Sequence, residues 1–358
     1  MRIIPYAFVV FSTNVDINFD ISYICKVISS KKSVLPSLWN KIPILKPSLQ
    51  KVLNCIERQL CFADPNVNES LIEFLHAGGK LIRPVFFLLF AHLGEETFDS
   101  DPAIIETAAA LELLHMATLV HDDIIDNSPL RRGIASIQNI HGKSIAVYAG
   151  DYLLTVFFTL IAKNISDKEL LVQSAASMQR LLEGELHQYR MKFNPEITVS
   201  DYFQIIEGKT AELFYLSCYL GISFAKNKTY QEQAKRIGKN IGCAFQIIDD
   251  ILDYDNLPQK KNIHVREDLA QGVYSLPLIL AMEENPDYFK NNPHPDKKSQ
   301  EYLAYIADGV EKLQGVQKAQ AYAKKYSEAA LKDIQELPDG ITKKLLLQLT
   351  DYLLERKT

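Results

Sequence analysis

One tryptophan, five cysteines and no excess of positive charge mark this 358-residue chain, and each shortage excludes something. A formal net charge of −5 leaves no global basic signature for nucleic acid, so anionic ligands must be met by local cationic clusters. With Trp39 alone and the tyrosines scattered, there is no base-stacking platform. Cys25, Cys55, Cys61, Cys218 and Cys243 form no CxxC pair, which favours free thiols in a reducing cytoplasm over disulfides or zinc. No run reaches the ~18 apolar residues of a membrane span; the nearest, VYAGDYLLTVFFTLIA, is interrupted by Gly150 and Asp151. The opening MRIIPYAFVVFS is apolar with one Arg but lacks a small-residue cleavage site, so it reads as an extension or an upstream start.

What remains is 47% apolar and 23% charged, an ordinary globular composition with enough chain for a sizeable core. From about Ser37 onward, apolar residues recur at spacings of three and four, as in AAALELLHMATLVHDDIID, SAASMQRLLEGELHQY and FQIIEGKTAELFYLSCYLGISFA. That period predicts helices, and alternating strand patterns are scarce. Asp64-Pro65, Gly78-Gly79, Ser128-Pro129, Arg132-Gly133, Asn194-Pro195 and Leu257-Pro258 divide them. The Pro-containing stretch 285–298 is too short to separate domains, and the helices beyond it still carry apolar faces. The expectation is one all-α domain over 37–358, preceded by an extension over 1–36.

Within this helical sequence the pattern Asp-Asp-Xaa-Xaa-Asp occurs twice, as Asp122, Asp123, Asp126 and as Asp249, Asp250, Asp253, both flanked by Ile, Leu and Val. Aspartate is seldom buried without a partner. On a helix the first and last Asp of each triad are offset by only about 40° and about 6 Å of rise, so both carboxylates face one way. Magnesium takes oxygen ligands and is usually held by one or two carboxylates together with substrate phosphates. A single triad would read equally well as a solvated acidic turn; two in apolar surroundings favour a metal-bound polyphosphate.

Basic residues sit where such a site would want them. Lys80 and Arg83 follow a glycine pair in HAGGKLIRP, where a pliable backbone brings cation and amides to phosphate. Arg131 and Arg132 follow the first triad behind Ser128-Pro129, and guanidinium groups suit bidentate phosphate binding. Lys209 precedes Thr210 in a predicted amphipathic helix, and Gln246 shares a helix face with Asp249. An isolated cation of this kind is ordinarily a solvated surface group; paired with the triads, these read as ligands. His115 is either a satisfied core histidine or a phosphate donor, and His121 a local hydrogen-bonding group.

Taken in order, GGKLIRP, LLHMATLVHDDIID, SPLRRG, AGDYLL, GEL with Gln188, GKTAELF and FQIIDDILD resemble the trans-prenyltransferases, the polyprenyl diphosphate synthases. HMATLVHDDIID is most similar to bacterial hexaprenyl and heptaprenyl synthases, some of which are catalytic subunits with a small non-identical partner. The resemblance implies an all-α isoprenoid synthase bundle around a deep central cavity, acting as a homodimer or as a heterodimer with that small subunit. Its membrane association would be no more than loose and through the product. It implies magnesium at Asp122, Asp123, Asp126, Asp249, Asp250 and Asp253, with Asp122, Asp126, Lys209 and Asp249 catalytic. Lys80, Arg83, His115 and Arg132 would bind isopentenyl diphosphate; Arg131, Lys209, Thr210 and Gln246 would attend an allylic, farnesyl-type diphosphate. One departure stands out: Ile263 occupies the place of a lysine usual in the family, with Lys260 and Lys261 nearby as substitutes.

In the family, an aromatic four or five positions before the first Asp floors the cavity of short-product enzymes. Here those positions are Thr118 and Ala117, with Leu114 a further turn away. Small side chains leave the floor open, so a medium or long chain is expected, with a geranylgeranyl-length product the alternative. A terpene cyclase of the same fold would lack the second triad and the isopentenyl cations. A non-catalytic subunit would have lost a triad or the Arg pair, and both are present.

Overall fold

A computed structural model describes residues 39–40, 42–98, 100–255, 268–269, 271–294, 296 and 299–354. All of them lie in one compact unit, Leu35–Thr358. The extension over 1–36 and Lys260, Lys261 and Ile263 fall outside the described residues.

The helices in chain order are α1 (Lys46–Gln59), α2 (Pro65–His76), α3 (Ile82–Ala91), α4 (Pro102–Ile125), α5 (Ile137–His141), α6 (Lys143–Asn164), α7 (Lys168–Met191), α8 (Val199–Ile206), α9 (Glu212–Phe224), α10 (Gln231–Asp255), α11 (Leu276–Glu284), α12 (Pro286–Lys290), α13 (Gln300–Lys312), α14 (Gly315–Gln335) and α15 (Ile341–Leu354). Between α4 and α5 lies a hairpin of two-residue strands, β1 (Leu130–Arg131) and β2 (Ile134–Ala135), pairing Leu130 with Ala135 and Arg131 with Ile134. Its turn has Arg132 and Gly133 both at positive φ, the primed geometry that suits a twisted two-stranded ribbon. The bundle is otherwise helical among the described residues, as the periodicity predicts.

The central helix is α4. Its start is fixed by Asp101, whose side chain accepts from the Ile104 N–H at 2.9 Å, with Pro102 in the first turn. Apolar on every side, it packs chiefly on α6 and also on α1, α3 and α9, as a helix without a polar face must. Its C-terminal end, carrying the first Asp triad, therefore projects from the middle of the bundle. The helix α10 is held between α9 and α14 and carries the second.

By length and composition, α4 and α6 would each be long and apolar enough to cross a membrane, which qualifies the expectation that no segment is. Inside the fold α4 is a core helix, with 72% of its most apolar window buried; for α6 the figure is 39%. Phe158 and Tyr148 of α6 and Leu182, Leu186 and Tyr189 of α7 stand exposed. Cys55, Cys218 and Cys243 are buried free thiols as expected, whereas Cys61 is exposed.

Candidate functional site

One cavity of ≈ 290 Å³ is lined by Asp122, Asp126 and Arg131 from the first triad and its hairpin, by Lys209 and Thr210, and by Gln246, Asp250 and Asp268, Asp250 being the member of the second triad in its wall. In the first triad the outer two carboxylates face the cavity and the middle one does not. Asp123 is 1% exposed, and both Nε (2.8 Å) and Nη2 of Arg131 bind its Oδ1. A buried pair of this kind is costly to break. Asp123 is thereby tied to Arg131, which lines the cavity while held on that carboxylate. Asp123 Oδ2 has no hydrogen-bond partner, and burial raises its pKa against the pull of Arg131.

Asp122 and Asp126 are each met by a lysine. Lys209 Nζ lies 3.9 Å from Asp122 and 2.9 Å from Glu185 of α7, and Lys192 Nζ lies 3.1 Å from Asp126. Burial raises the pKa values of Asp122 and Glu185, with Lys209 opposing. Burial works against the Lys209 ammonium, yet Asp122, Glu185 and Asp126 hold its pKa above the ordinary value.

Lys209 does not sit in the regular helix its sequence predicts. Glu207–Ala211 form a π-helical turn between α8 and α9, a wide turn often found at functional sites. Its seat on α7 needs two glycines. A Cβ on Gly184 would stand 2.7 Å from Lys209 N and 2.9 Å from Gly208 Cα. The widened turn also delivers Thr210, whose hydroxyl donates to Gln246 Oε1 at 2.7 Å.

In the second triad it is the middle carboxylate, Asp250, that lines the cavity. Asp250 accepts from the Tyr202 hydroxyl at 2.7 Å, Gln246 Nε2 at 2.9 Å and Leu276 N at 3.3 Å, and burial pushes its pKa up to about 7 in spite of these bonds. With three donors bound, it ties α8, α10 and α11 together while lining the cavity. Gln246 and Thr210 belong to the same braced network. Asp249 and Asp253 are half-buried. Asp253 is raised to about 7 by burial and by Asp250, Asp268 and Asp249, the signature of carboxylates crowded together in want of a cation. Among the described residues no group of three or more His, Cys, Asp or Glu side chains is close enough to hold a metal unaided. The donor set nevertheless fits a hard cation: all-oxygen and anionic, with carboxylates spaced to leave positions for phosphate and water.

A second basic cluster gathers beside α4. Arg83 packs over the Phe214 ring at 5.4 Å; burial lowers its pKa to about 10, against the field of Glu112. Glu112 is 3% exposed, and burial raises its pKa against Arg83 and Arg132. Arg132 reaches Gly79, where a Cβ would meet its Nη1 at 3.1 Å and Glu112 Oε1 at 3.6 Å. Half-buried His115 is driven well below its ordinary pKa by burial and then by Arg83, Arg132 and Arg131, so it faces this cluster as a neutral ring. Lys80 stands exposed on the loop before α3, next to Leu81 in a left-handed conformation. The structure thus brings Arg83, His115 and Arg132 together around Glu112. His121 instead pairs with Asp151 at 3.3 Å across α4 and α6.

Along α4, Leu114 and Ala117 are buried, and Thr118 turns its hydroxyl back to the His115 carbonyl at 2.8 Å. Sequence reasoning missed Glu112, Glu185, Lys192 and Asp268. Glu112 carried a signal, an acid inside the apolar run AAALELL; the others acquire meaning only from partners distant in the chain.

The family model described as Polyprenyl synthetase matches residues 64–309. The heptaprenyl diphosphate synthase component 2 of Bacillus subtilis is 33% identical over 82% of this chain and 83% of its own. Among solved structures, a geranylgeranyl pyrophosphate synthase from Lactobacillus brevis is 38% identical with a TM-score of 0.84, covering 89% of this chain and 99% of its own. A heptaprenyl diphosphate synthase from Staphylococcus aureus is 33% identical with a TM-score of 0.80, covering 88% and 99%.

Proposed function

The chain belongs to the polyprenyl synthetase family and is a prenyltransferase, and we propose that it elongates an allylic diphosphate with isopentenyl diphosphate to an all-trans product of medium or long chain. The observation that carries this reading is one cavity whose wall includes Asp122 and Asp126 of the first triad, Asp250 of the second, and Lys209. The allylic diphosphate would lie against Lys209 and the free edge of Arg131, and isopentenyl diphosphate against Lys80, Arg83, His115 and Arg132. Magnesium, held by Asp122 and Asp126 and by Asp249 and Asp253 opposite, would supply the positive charge that lets the diphosphate leave.

The C–O bond of the allylic diphosphate breaks and its electron pair leaves with the diphosphate. The isopentenyl double bond then attacks the allylic carbon, and the resulting cation loses a proton to the released pyrophosphate. The chain contributes fixed charge and exclusion of water. Lys209 balances the departing diphosphate, the neutral His115 donates to the acceptor's phosphate, and the apolar wall of Leu119, Ile205 and Ile206 keeps water from the cation.

The names of similar proteins point to both heptaprenyl and geranylgeranyl products, so product length rests on α4. The small residues Ala117 and Thr118 support the longer product, and the geranylgeranyl length is the second reading. The exposed apolar side chains of α6 and α7 offer a face for a second copy or a small partner subunit, in a cytoplasmic enzyme. The test is to incubate the purified chain with magnesium, farnesyl diphosphate and labelled isopentenyl diphosphate and to size the products. Extension beyond C20 is expected, and Ala117→Tyr should shorten it. Unchanged product length in that variant would defeat the cavity-floor argument. Activity appearing only with a small partner would establish a heteromer, and none either way would favour a non-catalytic subunit.

A further inference from the structure

Lys192 takes no part in any motif, yet it is placed as carefully as Lys209. It caps the C-terminal end of α7, with only 18% of its side chain exposed, and its Nζ meets Asp126 Oδ1 at 3.1 Å. Its backbone is held on both sides. The preceding residue closes α7, and the following one, Phe193, is a non-glycine residue at φ 58°. Such a conformation persists only where its surroundings over-determine it. They do so here: Phe193 N donates to Gly272 O at 2.9 Å, and the Phe193 ring presses so closely on Gly272 that a Cβ there would lie 2.5 Å from it. Gly272 is itself in the cavity wall. A long, mobile side chain is thus launched from a rigid point at the rim of the site.

The charges nearby give that placement a purpose. Arg131 is bound to buried Asp123, so the lysines are the cations free to exchange partners at the first triad. Lys192 hydrogen-bonds Asp126 at 3.1 Å, while Lys209 hydrogen-bonds Glu185 at 2.9 Å and lies 3.9 Å from Asp122. A metal ion taking either carboxylate would release its lysine toward whatever anion accompanies the metal.

Resting on the diphosphate reading above, we propose that Lys192 is a binding residue for the allylic diphosphate, acting with Lys209 as the second of two lysine arms on the first triad. Inorganic pyrophosphate is the probe. Calorimetric titration of the full chain with pyrophosphate in magnesium should show binding weakened about tenfold in Lys192→Gln, the size expected for one charge-assisted hydrogen bond. In steady-state assays that variant should raise the KM for farnesyl diphosphate by a similar factor while leaving the KM for isopentenyl diphosphate within about twofold. Lys192→Arg should recover most of the loss. If Lys192→Gln binds pyrophosphate as wild type does, while Lys209→Gln is weakened, the inference is overturned and the diphosphate site stands. Wild-type protein that binds no pyrophosphate would count against the diphosphate site itself. A folded Lys192→Gln, checked by an unchanged thermal midpoint, excludes a merely structural loss.

Discussion

Each Asp triad divides its residues between chemistry and architecture. The middle carboxylates, Asp123 and Asp250, are consumed by Arg131 and by Tyr202, Gln246 and Leu276 N. Asp122 and Asp126 line the cavity, each beside a lysine, and Asp249 and Asp253 are half-buried on α10. The motif itself was legible in the sequence; which of its three carboxylates is spent on the protein was not, because Tyr202 and Leu276 approach from other elements. Burial of Asp253, and after it the charges of Asp250, Asp268 and Asp249, has a consequence for pH. The Asp253 pKa is raised to about 7, so the folded protein holds that proton more tightly than the unfolded chain does. Its unfavourable contribution is absent below the unfolded value of about 4, grows as pH climbs, and is complete above about 7. Asp253→Asn should therefore raise the thermal midpoint of metal-free protein at pH 8 and leave it unchanged near pH 4. An equal gain at both would show that ionisation of Asp253 is not the cause.

Elements were legible where periodicity alone decides them, and α4, α7 and α10 follow their apolar spacing. The π-helical turn at Glu207–Ala211 was not, since FQIIEGKTAELF keeps a helical pattern across it. Only the contact of Gly184 with Gly208 exposes the widened turn, and that contact brings together residues separated by a helix and a loop. Its purpose is to aim Lys209 at Asp122 and Glu185. Gly184→Ala forces a methyl against the Lys209 backbone, a kind of overpacking that costs about 1–3 kcal/mol. The variant should melt several degrees lower and lose about tenfold in kcat/KM by displacing that ammonium. If it melts lower but keeps full kcat/KM, the turn supports the fold and not the site.

At the scale of the whole molecule, an apolar bundle carries two acidic helix segments and two basic clusters to one end of its central helix. The bundle was readable from composition and period, since the apolar runs of α4 and its neighbours need covering. The way its charges pair was not, because Lys192 and Asp126 are distant in sequence and close only once α7 lies beside α4. If the Asp carboxylates of both triads act together through magnesium on one diphosphate, isopentenyl incorporation by wild type, Asp122→Asn and Asp249→Asn, each with magnesium and with chelator, is the direct measurement. Chelator should abolish incorporation, and each substitution should lower kcat by about a hundredfold or more, the scale of losing one electrostatic partner of a developing charge. Incorporation that survives chelation, or that is untouched by either substitution, would contradict that joint action.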